Sequence, residues 1–318
     1  MKPKVDILLA MYKPKIKWLR ELLISLNNQD YENIELIVWN DSPNDSNEEE
    51  IFLEIITKFP YRIIKGTTNL GSNGAFEQLT KLSTGKYVAY CDQDDIWLEN
   101  KISYMVNIAE QTAHDLYCSD MYVIDSDGLE KGASIKDVRP HHCFYDGDDQ
   151  FSFLLLKNFV TGCTTLVKRS FALGCLPFPK PFVHDWWLAL KASEVGSIAI
   201  INKPLIKYRI HGNNQTGTLY NVYDKDSYIK ERLVSSKDSI AVLLDRINNP
   251  DCQNKILKYE KLLELRIMYI NSPSITKFIH MVKSIYLNKS TIAFEICIPF
   301  IPNKYFKNII NLIKEGKI

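Results

Sequence analysis

The chain has 318 residues, a length that suits one large domain or two smaller ones. Its 46% hydrophobic and 24% charged residues exclude a disordered, collagen-like or coiled-coil protein. The net charge of +1 gives no reason to expect nucleic acid as a partner.

The first 120 residues alternate between strand and helix patterns. Short apolar runs rich in branched residues predict strands, and apolar residues spaced three and four apart predict helices. The predicted strands are residues 5–11, 34–39, 61–65 and 87–91, and the predicted helices are residues 18–28, 48–59 and 74–82. This alternation predicts a parallel sheet with right-handed crossovers.

The rest of the chain changes character twice. Up to about residue 220 the pattern is mixed and predicts the following segments: a helix at 102–109, a strand at 116–124, a polar loop at 131–149, a helix at 186–195 and two short strands within 198–210, around Lys203-Pro204. Beyond residue 224 it is wholly helical, with long amphipathic helices at 228–246 and 254–269. We therefore predict a boundary near residue 220.

Three carboxylates follow the fourth predicted strand, in the sequence Asp92-Gln93-Asp94-Asp95. Parallel sheets bind ligands at the carboxyl ends of their strands. Carboxylates this close repel one another and are usually neutralised by a hard divalent cation, for which oxygen ligands suit Mg²⁺ or Mn²⁺. The alternative is a solvated acidic loop that caps the next helix.

A second cluster is His184-Asp185-Trp186-Trp187. An aspartate beside two tryptophans at a helix start can be partly desolvated, which raises its pKa toward that of a working base. The alternative is that Asp185 is an N-cap and that the tryptophans belong to the core.

Two loops add candidate ligands. His211 follows a predicted strand and could complete a metal site, while Arg209 could face phosphate; a surface loop is the alternative. The stretch 69–74 contains Gly71 and Gly74, whose backbone amides could meet an anion. The alternative is that residues 69–74 form only a turn between a strand and a helix.

These motifs together resemble family 2 glycosyltransferases of the A-type (GT-A) fold, over residues 4 to about 217. The matching elements are Leu8-Leu9-Ala10-Met11-Tyr12, Asn40-Asp41-Ser42, Asp92-Gln93-Asp94-Asp95, His184-Asp185 and His211. Within the family, D-Q-D-D-I-W, H-D-W-W-L-A-L and Y-R-x-H-G-x-N resemble bacterial rhamnosyltransferases of surface-polysaccharide assembly, such as capsule or O-antigen.

The resemblance implies an α/β fold of the Rossmann-like, nucleotide-diphospho-sugar transferase type with a C-terminal helical extension. A catalytic domain would span residues 1–220, with a nucleotide-binding half at about 1–120 and an acceptor-binding half at about 121–220. Residues 221–318 would form the helical region.

The resemblance also implies roles for individual residues. Asp185 would be the general base, and the metal, Mn²⁺ or Mg²⁺, would be held by Asp94, Asp92 and His211. The nucleotide would contact Ala10, Tyr12, Asn40, Asp41, Asn69, Gly71, Asp92 and Gln93. The acceptor or sugar pocket would include Thr161, Gly162, Cys163, His184, Trp186 and Trp187.

The chain departs from the family pattern at four positions. Met11 stands where threonine is common, Lys13 where asparagine is common, and Asn40 replaces the first acid of its turn. Pro43 removes the usual flexibility there. Because Met11 makes the pocket for the nucleotide base more apolar, the sequence does not determine which nucleotide binds.

The expected reaction is the inverting, metal-dependent transfer of a sugar from a nucleoside diphosphate donor to a hydroxyl of a glycan or lipid-linked glycan. The resemblance favours L-rhamnose from dTDP-rhamnose, with a UDP-hexose or UDP-N-acetylhexosamine as the alternative donor. A sugar nucleotidyltransferase is less favoured because no glycine-rich loop follows the first strand. An inactive nucleotide-sugar binding module is the remaining alternative.

The sequence also predicts where the protein works. No apolar run approaches the roughly 20 residues of a membrane span, the N-terminus lacks a signal-peptide pattern, and the seven cysteines are scattered singly. We therefore expect a cytoplasmic protein.

The basic tail, residues 275–318, carries a net charge of +5. It is predicted to touch the inner face of the cytoplasmic membrane through Ile292, Phe294, Ile296, Ile298, Phe300 and Ile301. The alternatives are packing on the catalytic domain and a homodimer interface.

Overall fold

The structure is a computed structural model that describes residues 2–42, 48–140, 142–212, 219, 221–286 and 288–314. Pro43, Asn213 and Asn214, which the sequence comparison used, lie outside the described residues, as do the last four residues of the basic tail. The chain divides into two compact units. Unit 1 comprises Met1–Asp148 and Phe159–His211, and unit 2 comprises Asp149–Asn158 and Gly212–Ile318.

Unit 1 is built on a mixed sheet of nine strands, counted among the described residues. The strands are β1 (Val5–Met11), β2 (Ile34–Asn40), β3 (Tyr61–Lys65), β4 (Tyr87–Asp92), β5 (Ile96–Trp97), β6 (Leu116–Ile124), β7 (Glu130–Gly132), β8 (Thr165–Lys168) and β9 (Ile198–Arg209). Their order is β3-β2-β1-β4-β8-β6-β9-β5, and β7 pairs with β6.

The helices surround this sheet in unit 1 and make up unit 2. They are α1 (Ile16–Asn27), α2 (Glu48–Ile55), α3 (Gly71–Leu82), α4 (Lys101–Gln111), α5 (Ile135–Val138), α6 (Gln150–Leu156), α7 (Arg169–Gly174), α8 (His184–Ser193), α9 (Lys225–Tyr228), α10 (Ser235–Asp238), α11 (Ile240–Arg246), α12 (Pro250–Asn271), α13 (Ile275–Lys283), α14 (Lys289–Cys297) and α15 (Asn303–Lys314). A π-helical turn joins α9 to α10, and 3₁₀ turns occur at Gly162–Thr164 and Ile298–Phe300.

The first four strands pair in parallel, which confirms the predicted sheet for that part of the chain. Val5, Ile7, Leu8 and Leu9 of β1 are fully buried, as expected for a strand covered on both faces. Beyond them the sheet is mixed, because β8 runs antiparallel between β4 and β6.

Two predicted elements differ from the structure for local reasons. Helix α2 ends at Ile55 rather than near residue 59, because the amides of Thr57 and Lys58 donate to the side-chain oxygen of Asn27 instead of continuing the helix. Residues 198–210 contain one long strand rather than two. The proline is accommodated at a bulge, where the pairing on β6 slips between Ser119 and Asp120.

The loop predicted at 131–149 also contains structure, namely the end of β7 and helix α5. Ser134 caps α5, and Asp137 completes the capping box. The short length of both elements explains why no period was visible in the sequence.

Unit 2 begins nearer residue 212 than residue 220 and also takes in α6. Helix α6 packs on α12, and Lys255 pairs with Asp149 at 2.8 Å. Helix α12 begins at Pro250 rather than near 254, because Asn249 caps it and Pro250 occupies its first turn.

A buried ion pair lies at the centre of unit 2. Both side-chain nitrogens of Arg266 that face Glu295 donate to its carboxylate at 2.6 Å, and the hydroxyl of Tyr228 donates to the same group at 2.7 Å. Glu295 is fully buried. This network fixes α14 against α12.

The prediction that residues 292–301 form a membrane-facing surface is wrong for the two of its six residues that the structure buries. Ile292 and Ile298 are fully buried, and the ring of Phe294 stacks on Phe306 at 5.9 Å. Among the six predicted residues only Phe300 is exposed. No helix in the described ranges is long and apolar enough to cross a bilayer.

Candidate active site

The carboxyl ends of β1, β2 and β4 lie side by side at one edge of the sheet. In the strand register Ala10 pairs with Asp92, and Met11 pairs with Asn40. The sequence prediction that these ends meet is therefore confirmed. Any group that binds here faces the loops that follow the three strands.

Gln93 ties two of these loops together. Its side-chain oxygen accepts from the backbone amide of Tyr12 at 2.8 Å, and its amide nitrogen donates to the carbonyl of Tyr12 at 3.0 Å. The amide of Lys13 donates to the hydroxyl of Ser42 at 2.8 Å, with Lys13 at a φ of 43°. The ring of Tyr12 stays 47% exposed and is available to stack on a planar ligand.

Asp41 holds the start of α3 in place. Its carboxylate accepts from the amides of Leu70 and Gly71 at 2.8–3.0 Å and from the indole of Trp39 at 3.2 Å. Asn69 accepts from Gly71 as well, at 3.0 Å, and Gly71 has the positive φ of 69° that favours glycine. Of the amides in the stretch 69–74, those of Leu70 and Gly71 are thus occupied by Asp41 and Asn69.

Asn40 is equally committed to the protein. It is buried, its oxygen accepts from the amide of Ser42 at 2.9 Å, and its nitrogen donates to Glu48 at 3.2 Å. Asn40 and Asp41 therefore fix the loops at this edge of the sheet. Ala10 and Tyr12 are the predicted nucleotide contacts of β1 that keep exposed surface.

His211 contacts the acidic loop that follows β4. Nε2 of His211 lies 2.6 Å from Oδ2 of Asp94, so the end of β9 meets the loop after β4. Burial raises the pKa of Asp92 to about 7, with further contributions from the negative charges of Asp94 and Asp185. The carboxylates of Asp92, Asp94 and Asp185 therefore share one region.

Asp95 is the buried end of the cluster. It is fully buried, and its Oδ1 accepts from the amide of Arg209 at 3.0 Å. Its Oδ2 has no hydrogen-bond partner among the described residues. Carboxylate oxygens of Asp92 and Asp95 lie within 4.8 Å of Sγ of Cys163.

Arg209 does not face a phosphate site, contrary to the sequence prediction. Its guanidinium is buried and donates to the carbonyl of Asp94 at 2.8 Å and to Glu21 at 2.6 Å. Arg209 therefore holds the backbone of the acidic loop in place from the protein interior.

Lys101 is a site residue that the sequence analysis missed. Its ammonium is fully buried, donates to the carbonyl of Cys163 at 2.5 Å and lies 3.3 Å from the centroid of the Trp97 ring. Burial lowers its pKa to about 8, against the opposing influence of Asp95 and Asp92. A lysine at a helix start normally indicates a solvated surface, so the sequence carries little signal for this role.

Asp185 is held in position from the neighbouring loop. It lies in the first turn of α8, and its Oδ2 accepts from the amide of Gly162 at 2.8 Å. This loop also supplies the carbonyl that binds Lys101 and the thiol beside Asp92. The structure thus unites Asp185, Gly162 and Cys163 with the acidic cluster.

His184 is part of the support rather than the cleft. Its ring is buried 4.2 Å from that of Phe76 and 4.9 Å from that of Tyr90. Burial lowers its pKa to about 3, so the imidazole is neutral, and neither ring nitrogen has a hydrogen-bond partner within the described ranges. A Cβ on Gly162 would lie 2.6 Å from its Nε2.

The predicted acceptor residues divide into two groups. Trp187 is fully buried and donates to the carbonyl of Cys175 at 2.9 Å, so it belongs to the core and offers no surface to an acceptor. Cys163 is buried as well. Thr161 and Trp186 are partly exposed, and Trp186 packs edge-on against Phe182.

The arrangement suits a divalent cation. Four carboxylates occupy one region, namely those of Asp92, Asp94, Asp95 and Asp185. The buried ammonium group of Lys101 lies in the same region and carries positive charge. Carboxylate oxygens and an imidazole are ligands that Mn²⁺ and Mg²⁺ accept. The negative charge that the protein leaves uncompensated is what a bound metal would neutralise.

Comparisons with known proteins identify the family of this chain. The model of the family described as glycosyl transferase family 2 matches residues 6–173. The chain is 30% identical over 193 residues to WfgD of Escherichia coli, a UDP-Glc:alpha-D-GlcNAc-diphosphoundecaprenol beta-1,3-glucosyltransferase, covering 58% of this chain and 69% of that protein.

Two solved structures share the fold. Residues 1–349 of Staphylococcus aureus TarS, in complex with UDP-GlcNAc, match with a TM-score of 0.60 and 13% identity, over 98% of this chain and 89% of that one. The mannosyltransferase PcManGT of Pyrobaculum calidifontis, in complex with GDP-Man and Mn²⁺, matches with a TM-score of 0.57 and 14% identity, over 100% of this chain and 86% of that one. These matches confirm the predicted GT-A fold.

Proposed function

This chain belongs to glycosyl transferase family 2, and we propose that it transfers a sugar, with inversion, from a nucleoside diphosphate donor to a hydroxyl of a glycan acceptor. The observation that carries the proposal is that Asp185 and the carboxylates of the acidic loop share one region. Asp94 is paired with His211, and Asp185, which accepts from the amide of Gly162, is close enough to raise the pKa of Asp92.

Asp185 is the proposed general base. The Gly162 amide orients its carboxylate, and the carboxylate takes the proton from the acceptor hydroxyl as that oxygen attacks the anomeric carbon. A single base with attack opposite the leaving group inverts the anomeric centre. General-base assistance of this kind is worth roughly 10²–10⁴-fold in rate.

Asp94, Asp92 and His211 are the proposed ligands of Mn²⁺ or Mg²⁺. The fit rests on their chemistry and on the buried Asp95 oxygen that has no partner among the described residues. A bound divalent ion would offset the charge that develops on the leaving diphosphate. The residues around it do the positioning, since Arg209 holds the Asp94 backbone and Lys101 holds that of Cys163.

The nucleotide is proposed to lie across the ends of β1 and β4, with its base against the exposed ring of Tyr12 and its ribose near Asp92. The Asp92 carboxylate offers a hydrogen-bond acceptor to a ribose hydroxyl. The likeness to WfgD favours a UDP-sugar over dTDP-rhamnose as the first donor to test.

The acceptor is proposed to approach beside Asp185, along the partly exposed side chains of Thr161 and Trp186. The acceptor that the name of WfgD states, a diphosphoundecaprenol-linked N-acetylglucosamine, is the first compound to try. A sugar nucleotidyltransferase is not supported, since the matching family model describes glycosyl transfer.

The test applies two measurements, donor binding and sugar transfer, to a panel of donors. Thermal shift with UDP-Glc, UDP-GlcNAc, GDP-Man and dTDP-rhamnose, each with and without Mn²⁺, identifies the bound nucleotide because specific binding raises Tm. Release of nucleoside diphosphate with acceptor then measures transfer.

Asp185→Asn should lower turnover by about 10²–10⁴-fold while the donor still raises Tm. Asp127→Asn, an exposed aspartate on a turn, is the matched control and should retain wild-type turnover. Wild-type turnover in Asp185→Asn would remove Asp185 from the mechanism. Transfer with none of the donors would refute the proposed reaction.

A further inference from the structure

Helix α13 in unit 2 exposes an apolar stripe. Ile275, Phe278, Ile279 and Val282 have the spacing of one helix face and are between 41% and 81% exposed. Tyr286, just past the end of the helix, is 79% exposed. Exposed apolar residues are ordinarily scattered singly, whereas a stripe of this kind marks an interaction surface.

The opposite side of α13 is firmly anchored. Met281 is fully buried, and the ammonium of Lys277 donates to the carbonyls of Ser272 and Met268 at 2.6 and 3.3 Å. Ser274 caps the start of the helix. Because packing and capping fix the rotation of the helix, the outward direction of the stripe is built into unit 2.

The exposed charges of α13, α14 and α15 have one sign. Between residues 275 and 314 of the described chain, the acidic residue is Glu295, which is buried and paired with Arg266. Apart from Lys277, which anchors the opposite side of α13, the charged side chains exposed there are Lys283, Lys289, Lys304, Lys307 and Lys314. The segment that carries the apolar stripe therefore presents only cationic charge at its described surface positions.

We propose that α13 docks this protein on an anionic phospholipid bilayer, with the stripe at the acyl boundary and the lysines at the headgroups. The charge complementarity decides the partner. A second copy of this chain would bring the same cations face to face, since a two-fold contact pairs each patch with itself. The stripe thus replaces residues 292–301 as the membrane-facing surface.

The test is co-sedimentation of the full chain with vesicles. Vesicles of equal parts phosphatidylcholine and phosphatidylglycerol should bind it, and vesicles of phosphatidylcholine alone should bind it far less. Ile275→Ser with Ile279→Ser should weaken binding to the anionic vesicles by at least about tenfold, because two apolar side chains lose their burial. Leu53→Ser with Leu129→Ser, equally exposed positions in unit 1, should leave binding unchanged.

A second pair of variants tests the charges. Lys283→Gln with Lys289→Gln should also lower the binding, by about 25-fold, since each lysine near an anionic surface contributes about fivefold. Lys17→Gln with Lys58→Gln, exposed lysines of unit 1, is the matched control and should bind as wild type.

Three results would overturn the proposal. They are equal binding to both kinds of vesicle, equal loss in the control variants, and a dimer by light scattering that Ile275→Ser with Ile279→Ser converts to a monomer. Vesicle binding needs neither donor nor acceptor. Its outcome is therefore separate from that of the proposed transfer reaction.

Discussion

Two clusters of buried charged groups, one in each unit, are balanced in opposite ways. In unit 2 the carboxylate of Glu295 receives two hydrogen bonds from Arg266 and one from Tyr228, so its charge is compensated by the protein itself. In unit 1 Asp95 keeps a buried oxygen without a partner among the described residues, although Lys101 is close by.

The pKa directions follow the same division. Burial and the neighbouring carboxylates raise the pKa of Asp92 to about 7, and burial raises that of Asp95 well above its usual value. In unit 2 the attraction of Glu295 outweighs burial, so the pKa of Arg266 is raised and its charge is stabilised. The charge of Glu295 is compensated by protein groups, so this cluster has a structural role. The excess negative charge at the sheet edge of unit 1 has no such compensation and marks a candidate ligand site.

The largest effect is expected from removing Asp94, a proposed metal ligand. Asp94→Asn keeps the shape of the side chain but removes the charge that faces His211. Turnover should fall by more than about 10³-fold, because a metal ion supplies several kcal/mol of charge stabilisation to the transition state. Donor-dependent release of nucleoside diphosphate with Mn²⁺ measures it.

Chelation with EDTA should have the same effect on the wild-type protein, and added Mn²⁺ should restore its activity but not that of Asp94→Asn. Asp127→Asn again serves as the control. Activity that survives both EDTA and Asp94→Asn would show that the acidic cluster of unit 1 works without a metal.

The compensated pair of unit 2 should respond as a structural element. Arg266→Met leaves Glu295 buried without its cation and should lower the free energy of unfolding by about 3–5 kcal/mol. Replacing the whole network, with Arg266→Met, Glu295→Leu and Tyr228→Phe together, should restore most of that loss, because an apolar core needs no compensation.

Urea unfolding followed by circular dichroism measures both variants. All five tryptophans lie in unit 1, so tryptophan fluorescence reports on that unit separately. The single variant should therefore shift the dichroism transition more than the fluorescence transition. If the triple variant is as unstable as the single one, the Arg266–Glu295 pair must stabilise unit 2 by more than neutralising its own buried charges.

The strands and the meeting of their ends were predictable because short-range patterns determine them. β1 and β6 occur at the predicted residues, since each is a run of apolar side chains with polar neighbours at both ends. The meeting of Asp94 with His211 followed from the rule that ligands bind at the carboxyl ends of strands.

The partners of individual polar groups were not predictable. Asn40 binds Ser42 and Glu48, and Asp41 binds the amides of the loop before α3, which lies far from it in the sequence. Burial of Lys101 depends on Trp97 and Cys163, which come together only in the folded sheet. The exposed stripe of α13 was likewise hidden, because an amphipathic pattern does not say which face is covered.

The smallest effect concerns how Asp185 is held at the edge of the uncompensated cluster. Gly162 donates to Asp185, and a methyl group on Gly162 would collide with His184 at 2.6 Å. Gly162→Ala should therefore cost about 1–3 kcal/mol of stability, as overpacking does. It should also lower kcat, since the loop that orients Asp185, the proposed base, must move.

A second substitution separates the collision from the loss of glycine itself. Gly162→Ala with His184→Ala provides room for the new methyl group and should recover part of both the Tm and the kcat. Gly174→Ala, where a Cβ meets nothing within 4 Å, should change neither. Wild-type kcat in Gly162→Ala would show that this loop does not orient Asp185. In that case α8 alone would position Asp185. The two clusters would then differ in their charge balance, but the fold would hold their carboxylates equally firmly.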